Sequence, residues 1–109
     1  VKVTFGDAMS YIAWLNDRTG NRCGFALPSE AQWEFAARGP NETMSRYWWG
    51  DDFLDGNNAM PPRRQFGTKP VRQFARNPAG LTDLLGHVWQ WTADLWHPSY
   101  QDAPVDGSA

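Results

Sequence analysis

The sequence predicts a loop-rich fold in which two short helices precede one strand. Apolar side chains recur at helical spacing in residues 5–18 and 28–39, whereas side chains alternate with a period of two in residues 86–94. The chain has 109 residues, which allow one domain at most. Seven Trp, ten Gly and eight Pro predict aromatic packing between many turns, with few long regular elements.

The first predicted helix runs from about Phe5 to Arg18. Thr4 is placed to act as its N-cap, and Asp7 follows three residues later, as in a capping box. Gly20 comes after the last turn and can end the helix in a left-handed conformation. The apolar residues at helical spacing are Phe5, Ala8, Met9, Ile12 and Leu15.

The second predicted helix is shorter. It starts at Pro28 and Ser29, where Ser29 and Gln32 make a capping-box pair, and it stops at Gly39. An apolar face on this helix predicts that one side packs against the core. The core-facing residues are Trp33, Ala36 and Ala37.

Residues 40–70 show no sustained period of either kind and are dense in Gly, Pro, Asn and Asp. We expect an ordered loop here, because burying one large ring is worth roughly 1.5 to 3 kcal/mol and several rings are available. The rings are Tyr47, Trp48, Trp49, Phe53 and Phe66.

Residues 86–94, GHVWQWTAD, are predicted to form a strand. The alternation favours an arrangement in which Trp89 and Trp91 pack inward while their neighbours face a polar layer. The tail after this segment is polar and broken by Pro and Gly, so it predicts no partner strand. An unpaired strand edge and exposed Trp faces predict self-association or dependence on another chain.

Composition and charge weigh against several kinds of partner. The formal net charge is −2 and the basic residues are scattered apart from Arg63 and Arg64, so nucleic-acid binding is not expected. No apolar run approaches the roughly 20 residues that span a bilayer, so no membrane partner is expected.

Cys23 is the only cysteine, and one thiol forms neither an internal disulfide nor a zinc cluster. His87 and His97 together are an alternative transition-metal site, although the sequence offers no third ligand.

Several segments, in their order along the chain, resemble the formylglycine-generating enzyme family, also called sulfatase-modifying factor domains. The segments are LPSEAQWEFAARG, YWWGDD, NNA, PVRQF and NPAGLTDLLGHVWQWTADLW. They cover nearly the whole chain, and several motifs in the correct order are far more specific than one short pattern.

The resemblance implies an α+β fold of the C-type-lectin-like kind, with two short helices and a small twisted antiparallel sheet. Residues 1–109 would be a partial domain of this type, so the sheet is expected to be incomplete in this chain. Members of the family include copper-dependent oxidases that convert a sulfatase cysteine to formylglycine. Others are iron-dependent sulfoxide synthases, and many are domains without assigned chemistry, so fold membership does not settle function.

The resemblance also implies that this chain holds no catalytic residue. The oxidases bind copper through a cysteine pair that lies beyond a motif similar to RVxRGGSW near the carboxyl end. The chain reaches Ala109 before that motif would begin, so we expect it to be catalytically incomplete and to hold no copper. Cys23 lies before the second helix, where the family has no matching catalytic position.

The calcium positions that the resemblance implies are altered here. Relatives use the Asn and Glu of GNVWEW as oxygen ligands, but this chain has His87 and Gln90 at those positions. At a second calcium site of the family, this chain has Met60 at the position of an Asn ligand. Arg63 and Arg64 lie near the position where the family has a carboxylate ligand. Calcium sites are therefore expected to be lost.

Hypotheses from different functional classes stay open. The leading one is a part of a formylglycine-generating-enzyme-like domain, whose partner is a protein substrate or another chain that completes the fold. The alternatives are a relative of the sulfoxide synthases, a non-catalytic recognition module for protein or glycan, and a remnant without activity. The recognition surface would consist of Arg46, Tyr47, Trp48, Phe53, Arg63 and Arg64.

Overall fold

The computed structural model describes residues 2–40, 45–52 and 68–109. Within these ranges the regular elements are two helices, α1 (Phe5–Arg18) and α2 (Glu30–Arg38). Both predicted helices are confirmed, and so is the loop-rich character of the chain. Neither helix is long and apolar enough to cross a membrane, and the described residues contain no other helix.

Local side-chain bonds fix both ends of α1. The Thr4 hydroxyl oxygen accepts from the Asp7 N–H at 3.1 Å, and the Thr4 N–H donates to Asp7 Oδ2 at 2.9 Å, which completes the predicted capping box. At the other end the Thr19 hydroxyl donates to the Leu15 carbonyl oxygen at 2.9 Å. Gly20 then turns the chain with a φ of +60°, as the sequence predicted.

Acid is expected to weaken the start of α1. The Thr4 backbone N–H and hydroxyl donate to the Asp7 carboxylate, and these bonds hold the pKa of Asp7 below its usual range. A lowered folded-state pKa contributes stability above the unfolded pKa of about 4 and loses it as the pH falls through the folded value. We expect helical circular dichroism to decrease in that acid window, and the Asp7→Asn variant to lack this component. Superimposable acid titrations of the two chains would contradict the expectation.

The helix α2 buries the face that the sequence predicted. Ala37 is 5% exposed, and Trp33 and Ala36 are half-buried. Ala37 is also the only buried apolar side chain among the residues that the structure describes. So small an apolar core leaves many large side chains exposed to solvent.

The chain divides into two units. The first unit consists of residues 1–31 and 90–109, and here the tail lies on the segment that leads into α2. The Ala93 N–H donates to the Pro28 carbonyl oxygen at 2.8 Å. The second unit consists of residues 32–89, and here the end of α2 lies against a turn at residues 77–81.

The predicted strand at residues 86–94 is wrong. The described residues contain no strand, and their one bridge pairs Tyr47 with Gly50. A period of two shows which side chains share a face, but it does not supply the paired strand that makes an extended segment part of a sheet. Trp89 is fully exposed rather than packed inward, and Trp91 is 51% exposed. The Trp91 ring meets Phe5 edge-on, with ring centroids 5.8 Å apart.

Candidate functional site

The side chain of Asn77 closes the end of α2. Asn77 is 5% exposed, and its Nδ2 donates to the carbonyl oxygens of Ala36 and Ala37 at 2.7 and 3.0 Å. These are acceptors that a helix end leaves without partners inside the helix. Its Oδ1 accepts from the N–H groups of Ala79 and Leu81 at 3.0 and 2.9 Å. One amide group therefore joins α2 to the following turn.

Gly39 allows this close approach of helix and turn. Its φ of +84° lies in the left-handed region, and its N–H donates to the Phe35 carbonyl oxygen at 2.9 Å. A Cβ at position 39 would lie 2.9 Å from the Pro78 Cβ. The predicted role of Gly39 as the end of the helix is therefore confirmed, and the packing adds a second reason for glycine.

The start of α2 is capped from a distant part of the chain. Asp94 Oδ2 accepts from the Glu30 N–H at 2.6 Å, so a carboxylate lies at the helix N-terminus, where the helix dipole favours negative charge. The Ser29 hydroxyl donates to the Gly107 carbonyl oxygen at 2.7 Å, and the Tyr100 hydroxyl donates to Glu30 Oε1 at 3.3 Å. The tail is thus held at several points along residues 93–107.

Sequence reasoning missed the roles of Asn77 and Asp94. Asn followed by Pro, as at residues 77–78, is a turn signal, so the turn itself could have been predicted. Asp94 gives no local signal, because it caps a helix that begins 64 residues earlier in the chain.

His87 and Asp83 tie a second pair of segments together. His87 Nε2 accepts from the Lys69 N–H at 3.0 Å, and Asp83 Oδ2 accepts from the Arg72 N–H at 2.7 Å. The other oxygen, Asp83 Oδ1, is buried without a hydrogen-bond partner among the described residues. An imidazole whose Nε2 accepts a bond carries its proton on Nδ1. The Nε2 lone pair of His87 is thus directed at the Lys69 backbone.

The residues at the altered calcium positions differ in their contacts and exposure. His87 uses its acceptor nitrogen on the Lys69 N–H, and Gln90 is an exposed neutral amide where calcium favours a carboxylate. Met60 lies outside the described residues. His97 is exposed, and in the described part of the chain no three His, Cys, Asp or Glu residues come together as a metal site would require. Cys23 is an exposed free thiol.

The aromatic turn at residues 45–52 contains half of the suggested recognition surface. Tyr47 and Trp48 are half-buried and Arg46 is exposed, whereas Phe53, Arg63 and Arg64 lie outside the described residues. The ring of Tyr47 stacks on Trp49 with centroids 4.9 Å apart, and Trp48 meets Trp49 edge-on at 5.2 Å. The described rings therefore contact one another within the turn.

Comparison with known proteins identifies the class to which these features belong. The sulfatase-modifying factor enzyme 1-like domain matches residues 1–108 of the chain. The chain belongs to this family, which confirms the resemblance of its motifs.

Three relatives show how far the similarity extends. A formylglycine-generating enzyme of Mycobacterium tuberculosis is 36% identical over 117 residues, covering 95% of this chain and 36% of the relative. A formylglycine-generating enzyme of Thermomonospora curvata is 34% identical, covering 88% of this chain and 33% of the relative. The inactive C-alpha-formylglycine-generating enzyme 2 of Mus musculus is 36% identical, covering 96% of this chain and 35% of the relative. The chain thus spans about a third of the length of these relatives, and no solved structure matches it.

Proposed function

We propose that the chain is a scaffold part of a formylglycine-generating-enzyme-like domain, with its motif residues holding backbone segments together instead of carrying out chemistry. The observation that carries this proposal is the use of the polar side chains in the matched motifs. Asp94 caps the start of α2, Asn77 caps its end, and His87 holds the Lys69 backbone. Each of these groups is engaged by main-chain atoms, as structural side chains are.

The chain by itself is expected to be catalytically inactive. We expect no oxidation of a sulfatase-type cysteine peptide when the purified chain is supplied with copper and a reductant, because Cys23 is its only thiol. Mass spectrometry of the peptide measures the outcome, with the Mycobacterium tuberculosis relative as positive control. Turnover that disappears in the Cys23→Ser variant would overturn the proposal.

Calcium is expected neither to bind nor to stabilise the chain. A ligand at 100 times its dissociation constant adds about 2.7 kcal/mol to the free energy of unfolding, which would raise the melting temperature by at least several degrees. We expect no rise in millimolar calcium, because His87 and Gln90 supply no anionic oxygen. A rise that the Gln90→Ala variant abolishes would show that this segment is a calcium site.

A non-catalytic recognition module is the second candidate. The observation in its favour is that a relative named as inactive is as similar to this chain as one named as an enzyme, at 36% identity each. In this case the partner would be a protein or a glycan that contacts the exposed Arg46 and the aromatic turn. Retained partner binding by a full-length protein that lacks oxidase activity, lost on Arg46→Ala, would favour this candidate over the first.

A further inference from the structure

The tail contains a pair of residues with a chemistry of its own, Asp106 followed by Gly107. In such a pair the backbone nitrogen of the glycine can attack the side-chain carboxyl carbon of the aspartate and close a succinimide ring. Glycine favours the attack, because it has no Cβ in the way and its backbone is unusually free. Asp106 is exposed and Gly107 is half-buried, so solvent water reaches the pair.

The reaction is a loss and a return of water. A bond forms between the Gly107 nitrogen and Asp106 Cγ, a bond from Cγ to a carboxyl oxygen breaks, and the nitrogen's proton leaves with that hydroxyl as water. Water then attacks the main-chain carbonyl carbon of Asp106, and the bond from this carbon to the Gly107 nitrogen breaks. The product is isoaspartate, in which the main chain runs through the former side chain and is one carbon longer. No oxidant or reductant takes part.

One peptide group connects the Asp106 carboxyl to Ser29, the residue that precedes α2. The carbonyl oxygen of Gly107 accepts from the Ser29 hydroxyl at 2.7 Å, and the N–H of the same peptide group, on Ser108, donates to Asp106 Oδ1 at 2.9 Å. Ser29 is 2% exposed, so water competes poorly for its hydroxyl. A buried hydroxyl therefore fixes the peptide group that holds the Asp106 carboxyl.

The bond to Ser108 also keeps the Asp106 carboxyl in its unreactive form. The Ser108 N–H, with a smaller contribution from the Ser108 hydroxyl, holds the pKa of Asp106 below its usual range. Ring closure needs the protonated acid, because hydroxyl leaves as water whereas a carboxylate would have to expel oxide. The bond thus opposes the reaction by favouring the ionised carboxylate and by restraining its rotation towards the Gly107 nitrogen.

We propose that Asp106 and Gly107 form a site of spontaneous isoaspartate formation, and that the Ser29 hydroxyl limits its rate. Ring closure occurs when the tail opens locally and the Gly107–Ser108 peptide group leaves Ser29. The longer main chain of the product moves the Gly107 carbonyl out of register with Ser29, so this anchor does not re-form. A transient opening of the tail is thereby converted into a lasting covalent change, which the scaffold role does not include.

Incubation of the purified chain below its melting temperature tests the proposal. Labelling by a protein isoaspartate methyltransferase measures the product. Fragment mass spectrometry assigns it to Asp106, since the sequence has a second Asp–Gly pair at residues 55–56, outside the described residues. The free peptide of residues 103–109, APVDGSA, gives the rate without the Ser29 contact.

Conversion at Asp106 is expected to be slower in the chain than in the free peptide. In the Ser29→Ala variant it should be about two- to tenfold faster than in the unaltered chain, because losing one hydrogen bond of typical net strength raises the population of the open tail by about that factor. Equal rates in the unaltered chain and in Ser29→Ala would overturn the proposal. So would the absence of conversion in both chains over a period in which the free peptide is converted.

Asn16→Ala is the matched control for a general loss of stability. Asn16 bonds to the main chain of Phe25 in the same unit, and its loss does not touch residues 106–108. This variant should convert at nearly the unaltered rate, and an acceleration equal to that of Ser29→Ala would contradict the role of the hydroxyl. Asp106→Glu should abolish the signal, because a six-membered ring closes far more slowly. Circular dichroism checks that the helices persist in each variant.

Hydrogen exchange of the isomerised chain tests the structural consequence. The isoaspartyl chain is separated from the unaltered chain by chromatography, and its amide exchange is followed by mass spectrometry. We expect faster exchange in residues 100–108 and unchanged exchange in α1, because the anchor at Ser29 is lost while the capping bonds of α1 remain. Unchanged exchange in residues 100–108 would show that isomerisation leaves the tail anchored and would overturn this part of the proposal.

Discussion

Replacement of Asn77 by Ala is expected to lower the free energy of unfolding by about 3 kcal/mol, since each buried polar group left unsatisfied costs about 1 to 3 kcal/mol. The variant removes all four bonds of the Asn77 amide at once. The carbonyl oxygens of Ala36 and Ala37 then lose their donor in a part of α2 where Ala37 is buried. Urea-induced unfolding, followed by circular dichroism, measures the change.

Asn16 provides a matched control for this measurement. Its amide also makes a pair of backbone bonds, to the carbonyl and N–H of Phe25 at 2.9 and 2.8 Å, but Phe25 is exposed to water. Water can replace these bonds in the variant, so we expect Asn16→Ala to cost about 1 kcal/mol. Equal losses of stability for Asn77→Ala and Asn16→Ala would show that burial does not set the importance of Asn77.

Sequence reasoning succeeded where the determinants of an element lie within a few residues of one another. The start of α1 depends on Thr4 and Asp7, and its end on Gly20, so periodicity and capping rules were sufficient. The end of α2 at Gly39 follows the same logic. The family was also predictable, because several motifs occur in a fixed order over residues 1–108.

The failures concern contacts between distant segments. Residues 86–94 have the alternation of a strand, but a strand requires a partner that sequence periodicity cannot identify. Asp94 and Asn77 act on opposite ends of α2 from 64 and 40 residues away, respectively. Local sequence rules could not predict the bond between His87 and the Lys69 N–H either, because the two residues are 18 positions apart.

Substitution of Gly39 by Ala is expected to cost about 3 kcal/mol of unfolding free energy, which combines about 1 to 2 kcal/mol of left-handed backbone strain with a steric clash of about 1 to 3 kcal/mol. The new Cβ would lie 2.9 Å from the Pro78 Cβ and 3.2 Å from Cγ and Cδ of that ring. The ring cannot rotate away, and the Asn77 amide holds the turn on the end of α2. Thermal and urea unfolding measure the loss.

Gly20→Ala separates the two contributions to the Gly39 effect. Gly20 has a φ of +60°, and apart from its chain neighbours no atom lies within 4 Å of its would-be Cβ, so this variant carries the backbone strain alone, about 1 to 2 kcal/mol. A second comparison places Gly39→Ala in a Pro78→Gly background, where the clashing ring is absent. The loss caused by Gly39→Ala should then fall to nearly that of Gly20→Ala, because a double-mutant cycle isolates the contact between the two positions. If the loss is the same with and without the Pro78 ring, the close approach of α2 to the turn does not limit position 39.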